Sequence, residues 1–96
     1  MSGISQTFEN FVAEPMGDKA VTELPGIGPT LGDRLIECGF EKAYQVLGIF
    51  LLFAKDDDMF VMWLMESFQA SFGQAIDCYD CLYRWCDLFL SAQTAF

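Results

Sequence analysis

The chain has 96 residues, 53% of them hydrophobic and 16% aromatic, and sets five Lys and Arg against fourteen Asp and Glu for a net charge of −9. That length excludes a second domain and allows one modest core; small domains often add stability by oligomerising, and this much apolar surface points to a self-association face. The acidity weighs against generic nucleic-acid binding, whose affinity comes from neutralising phosphates, and its plain reading is solubility for an apolar domain.

Turn signals divide the chain into helical segments. Ser5 is placed to cap a short helix carrying Phe8, Phe11 and Val12 at helical spacing. Pro15, Gly17 and Asp18 mark a loop, and Ala20 to Leu24 reads as one or two helical turns. Leu24-Pro25-Gly26-Ile27-Gly28 reads as a tight hairpin whose two glycines allow positive φ and close backbone approach. Pro29 starts the next helix, which presents Leu31, Leu35 and Ile36 and stops at Cys38-Gly39 with Gly39 as the left-handed cap. Phe40 then contacts back onto that helix.

The next helix is predicted from about Glu41 to Phe53 and is apolar over most of its circumference, so it must be buried by several neighbours or shared with a partner. It is too short to span a bilayer and contains Gln45 and Gly48, so no direct membrane insertion is expected. Leu51-Leu52-Phe53 has strand character, but nothing nearby offers it a pairing partner. Lys55-Asp56-Asp57-Asp58 ends that helix and opens another, Met59 to Phe68, whose dipole the acids complement. An EF-hand reading fails for lack of the twelve-residue ligand spacing. A last helix is predicted from about Gly73 to Leu90, with Cys78, Leu82, Trp85, Cys86 and Phe89 inward, and 91–96 as a frayed tail. The expected fold is therefore all-α: a compact five-helix domain over 1–90 containing a helix-hairpin-helix element.

The chemistry is defined mainly by what is missing. There is no histidine, hence no Ser-His-Asp or Cys-His nucleophile. Gly26-Ile27-Gly28 lacks the third glycine and the strand of a dinucleotide fold, and no phosphate-binding Gly-x-x-x-x-Gly-Lys pattern occurs. Met1-Ser2-Gly3-Ile4 does not read as a secretory signal, so Cys38, Cys78, Cys81 and Cys86 are expected to be reduced, in cytosol or nucleus. Cys78-x-x-Cys81 looks like half a zinc site, but no second pair completes it; buried helical thiols are the favoured reading. No enzyme, cofactor or metal is expected.

The hairpin has a physical use. An apolar residue between two glycines pins the turn to the core, while backbone amides at the start of the following helix face outward and bind phosphate without reading sequence. With Leu24 before it and Gly32 and Leu35 after it, the pattern gains specificity. Further stretches carry a wider likeness: Phe-Val-Ala-Glu-Pro-Met-Gly-Asp-Lys at 11–19, Gly-Phe-Glu-Lys-Ala-Tyr at 39–44, Val-Leu-Gly at 46–48, Lys-Asp-Asp-Asp at 55–58 and Cys-Leu-x-x-Trp-Cys-Asp-x-Phe-Leu at 81–90. Across residues 1 to about 90 the chain resembles the barrier-to-autointegration factor family.

That resemblance implies a small helical homodimer in the nucleus, at chromatin and the nuclear envelope and also in cytoplasm. It implies bridging of double-stranded DNA without sequence preference, and binding to LEM-domain proteins, lamins and histones. Carried over by position, the amides of Gly26 and Gly28 with the start of the Leu31 helix match phosphate contacts, and Arg34 matches a basic contact. Leu47, Gly48, Leu52 and Met59 match the groove for LEM domains, and Val12, Ala13, Glu14 and Pro15 match a lamin surface.

The departures matter as much. Thr7, Phe8, Glu9, Asp33, Gly73 and Ile76 stand where the family tends to carry Lys, Arg or uncharged residues, and Pro29 offers no amide. Weakened DNA binding is expected, with two alternatives: a fully competent DNA bridge, or a modulator that heterodimerises with a DNA-binding relative. Val61, Met62, Met65 and Tyr83 replace polar or charged positions and are expected to form a new exposed protein-binding surface.

Overall fold

In the computed structural model, which describes residues 6–90, five α-helices and one 3-10 turn account for the regular structure, in the order α1 (Gln6–Val12), the 3-10 turn (Val21–Glu23), α2 (Pro29–Glu37), α3 (Ala43–Leu52), α4 (Asp57–Phe68) and α5 (Phe72–Phe89). The all-α expectation holds, with helix ends moved by one or two residues from the sequence reading. Leu51 and Leu52 complete α3 rather than forming a strand, and the described residues contain only an isolated antiparallel bridge between Ala20 and Lys42. The Ser5 cap and the 91–96 tail lie outside the described residues.

The boundaries have local causes. Pro29 opens α2 at a position where a missing N–H costs nothing. α2 closes on Gly39 at φ +95°, with the Phe40 N–H donating back to the Leu35 carbonyl at 2.9 Å. The Phe40 ring also packs edge-on to Trp63 and Phe68 of α4. Asp56 caps α4 by accepting from the Met59 N–H at 2.9 Å. A capping box that the sequence reading overlooked opens α5: Ser71 accepts from the Gln74 N–H while the Gln74 side chain accepts from the Ser71 N–H.

α5 is the spine, packing against α4, α1 and α3. It turns Ala75, Cys78, Cys81, Leu82, Trp85 and Cys86 inward, against Phe11 of α1, Phe50 of α3 and Phe60 and Leu64 of α4. The Phe50 and Phe60 rings meet edge to face, centroids 5.5 Å apart, a geometry worth about 0.5–1.5 kcal/mol beyond area burial. The N-terminal loop is tied to the spine by the Trp85 Nε1–H, which donates to the Glu14 carbonyl at 3.2 Å.

Three of the four cysteines are core residues, and Cys38 is exposed. Burial pushes the Cys81 thiol up to about 12 and raises Cys78 and Cys86 as well. A raised thiol pKa means less thiolate, the reactive form, at a given pH. At pH 8 a thiol reagent should therefore modify one cysteine quickly, Cys38, and the other three only after denaturation. Fast native labelling of more than one thiol, counted by mass spectrometry, contradicts this packing.

The link from α3 to α4 carries consecutive non-glycine residues in the left-handed region, Ala54 at φ +56° and Lys55 at φ +64°. Each such residue costs about 1–2 kcal/mol, whereas glycine adds about 0.5–1 kcal/mol of folding entropy. Ala54→Gly should raise stability by roughly 0.5–1 kcal/mol, read as a higher denaturant midpoint at unchanged slope.

Candidate functional site

The hairpin is built by a type II-like turn. The Ile27 N–H donates to the Leu24 carbonyl at 3.1 Å across Pro25 and Gly26, and Gly26 sits at φ +86°. Ile27 is buried and anchors the turn. Only one of the two glycines needs its freedom here: Gly28 is extended, φ −82° and ψ −176°, and serves as the N-cap of α2. This corrects the expectation of positive φ at both. Leu31 turns its side chain into the core, so what it offers at this end is its backbone amide. The amides of Gly28, Thr30 and Leu31 have no acceptor within the helix, and the helix dipole adds partial positive charge there.

Of these residues Gly28 lines a cleft of about 510 Å³ whose walls also include Thr7, Phe8, Thr22, Gly26, Gln74 and Asp77. Among the described residues, the single charged side chain on its walls is an acid, Asp77. None of the chain's five Lys and Arg lines this cleft. Lys19 pairs with Glu14 at 2.7 Å. Lys42 Nζ donates to the Asp18 carbonyl at 3.4 Å. Lys55 Nζ stands 5.9 Å from the Tyr83 ring centroid. Arg84 lies 3.9 Å from Asp87. Arg34, the basic residue expected at the phosphate site, donates through Nη1 to the Phe68 carbonyl at 3.0 Å. It thereby satisfies a carbonyl at the end of α4 and docks α2 on that helix, a role no sequence spacing revealed. Its remaining guanidinium N–H groups are free to reach outward.

A second surface spans α3 and α4. α3 buries only Ala43, Val46 and Phe50, leaving Tyr44, Leu51 and Leu52 exposed; Leu52 is 75% accessible. Leu47 is half-buried, Gly48 is exposed, and Met59 is exposed at the start of α4. An added Cβ at Gly48 would meet no atom within 4 Å, so its lack of a side chain serves nothing inside this chain. Met62 is exposed and Met65 half-buried, and their spacing of three sets them on one side of α4. Val61 does not join them: it is core, and the expectation of exposure there is corrected. Its neighbours in the helix explain this, because Phe60, Val61 and Leu64 together form the buried side of α4. Ile36, expected to face inward with Leu31 and Leu35, is exposed.

Of the 12–15 segment, Glu14 is held at both ends: its carboxylate by Lys19 and its carbonyl by Trp85. The exposed carboxylates of Asp56, Asp57 and Asp58 lie within 4.8 Å of one another, and two of them accept backbone N–H groups at the start of α4.

Known sequences match this chain over nearly its whole length. The sequence profile of the family described as barrier to autointegration factor matches residues 2–89. The barrier-to-autointegration factor of Drosophila melanogaster is 58% identical over 90 residues, covering 94% of this chain and all of the relative. Barrier-to-autointegration factor B of Xenopus laevis is 56% identical over the same length. The human barrier-to-autointegration factor is 54% identical over 86 residues, 90% of this chain and 97% of its own. With matches of this extent to both profile and full-length relatives, the chain belongs to the barrier-to-autointegration factor family.

Proposed function

We propose that the chain is a non-enzymatic nuclear adaptor of its family, a homodimer that links chromatin to LEM-domain and lamina proteins and binds double-stranded DNA only weakly. The observation that carries the weak-DNA part is the charge around the hairpin: the amides are in place, but an acid, Asp77, lines the cleft and none of the five Lys and Arg does. Each phosphate contact contributes about 0.9 to the salt slope of log K, so amides without supporting Lys and Arg give a shallow slope and low affinity.

The protein-binding part is supported by exposure on α3 and α4: Gly48, Leu52, Met59 and Met62 are exposed and Leu47 is half-buried. The apolar outer face of α3 supports dimer formation. It equally supports pairing with a DNA-binding relative, since a dimer face that is kept while the cations are lost would make the mixed dimer monovalent for DNA.

Duplex DNA binding and LEM-domain binding, titrated on one preparation, test the reading. LEM-domain binding with weak, shallow-sloped DNA binding supports it; tight and steeply salt-dependent DNA binding returns the chain to the fully competent class. Gly48→Glu is the matching variant. The side chain enters open space in the monomer, so the fold should persist by circular dichroism while LEM-domain affinity falls at least tenfold. Unchanged affinity removes Gly48 from the groove.

A further inference from the structure

The outer face of α5 carries a second cleft, about 540 Å³ and shallow, walled by Tyr79, Asp80, Tyr83, Arg84 and Asp87. Spacings of three and four bring these residues to one side of the helix. The two tyrosine rings lie 5.9 Å apart, tilted 38°. Tyr79 is fixed, its hydroxyl donating to the Lys55 carbonyl at 2.7 Å. Its phenol is held above its ordinary value by burial first, then by the carboxylates of Asp57, Asp56 and Asp80 and by Tyr83, so several acids bear on this end of the cleft. Asp80 has no ion-pair partner among the described residues. Asp87 has a loose one, Arg84 at 3.9 Å with both side chains more than half exposed, an arrangement worth little in water.

An independent observation shows what such a surface attracts. The Lys55 ammonium already stands over the Tyr83 ring at 5.9 Å, a cation–π distance. The chain thus holds two cations of its own here, Lys55 at the rim and Arg84 in the wall, while Asp80 has no ion-pair partner among the described residues.

We propose that this aromatic and acidic cleft on α5 docks an arginine side chain from a basic segment of a partner protein. A guanidinium suits it better than an ammonium, because the planar group stacks on a tyrosine face while its fork pairs with a carboxylate. The walls carry two carboxylates, Asp80 and Asp87, against one guanidinium, Arg84, and this net negative charge disfavours phosphate, which argues for a polypeptide and against nucleic acid as the occupant. The cleft shares no residue with the hairpin cleft, so the assignment stands or falls separately from the DNA reading.

The probe is a fluorescein-labelled Arg-Gly repeat peptide, followed by anisotropy at physiological salt with the full chain. Saturable binding is expected. Tyr83→Ala and Asp80→Asn should each weaken it about tenfold, while Glu37→Gln, an equal charge change at an exposed position of α2, leaves it unchanged. Both α5 side chains are exposed, and circular dichroism confirms that the variants fold; Tyr83→Phe, which keeps the ring, should retain binding. Absence of saturation, an equal loss with Glu37→Gln, or equally tight binding of a Lys-Gly peptide overturns the proposal.

Discussion

Gly26→Ala should destabilise the domain by more than about 3 kcal/mol, whereas Gly28→Ala should leave stability almost untouched. Two costs combine at Gly26. Its φ of +86° is one that residues with a side chain rarely adopt. An added Cβ would also run into α5, against the Gln74 carbonyl, the Asp77 Cβ at 3.0 Å and the Cys78 nitrogen at 3.2 Å. Backbone atoms of a long helix cannot step aside as the end of a flexible side chain can, so the hairpin itself must move. Ile27 would then leave its buried seat. A domain of this size has about 5–15 kcal/mol in total, and each kcal/mol is worth about 4–8 °C, so the melting temperature should fall by more than about 12 °C. Gly28 has an ordinary extended φ and no atom within 4 Å of an added Cβ. A thermal melt of the two variants followed by circular dichroism separates these expectations; equal melting temperatures would falsify the packing of the hairpin on α5.

The contrast also marks where the sequence was legible. Pro, Gly and Asp punctuate the chain strongly, so the number and order of helices could be read from them, and so could the hairpin. Which glycine does what could not be read, because the need at Gly26 comes from α5, a helix more than forty positions away. The same limit explains Arg34 and Val61. Arg34 matches a phosphate contact by position, yet its guanidinium reaches the Phe68 carbonyl, a partner 34 residues on. Val61 stands where the family tends to carry a polar or charged residue, which reads as exposure, but it shares the buried side of α4 with Phe60 and Leu64, and α4 packs on α5. Periodicity resolves the inward stripe of α5, because Asp77, Asp80, Arg84 and Asp87 recur at helical spacing and mark the exposed side. It fails on α3, where nearly every position is apolar and only tertiary packing decides that Ala43, Val46 and Phe50 go in and Leu52 stays out.

Restoring cations around the hairpin should recover DNA binding, by about a hundredfold at physiological salt for the triple variant Thr7→Lys, Asp33→Lys and Gly73→Lys. All three positions are exposed. Thr7 lines the hairpin cleft, Asp33 is next to Arg34 on α2, and Gly73 is in the first turn of α5, where a side chain would meet nothing closer than Ser71 Oγ at 4.0 Å. The magnitude follows from counterion release. Three new phosphate contacts steepen the salt slope by about 2.7, and at physiological salt that amounts to roughly two decades of affinity. Replacing Asp33 also removes an acid, so the gain there exceeds that of adding a lysine to neutral surface. The control is three lysines at other exposed positions, Ser67, Asp87 and Leu88, which raise net charge equally because one of them also replaces an acid. If the hairpin amides still orient phosphate, the first variant gains far more than the control, and Gly28→Glu in its background abolishes the gain. If both variants gain alike, the hairpin has become a fold element only, and the adaptor's contact with chromatin runs through its protein-binding faces.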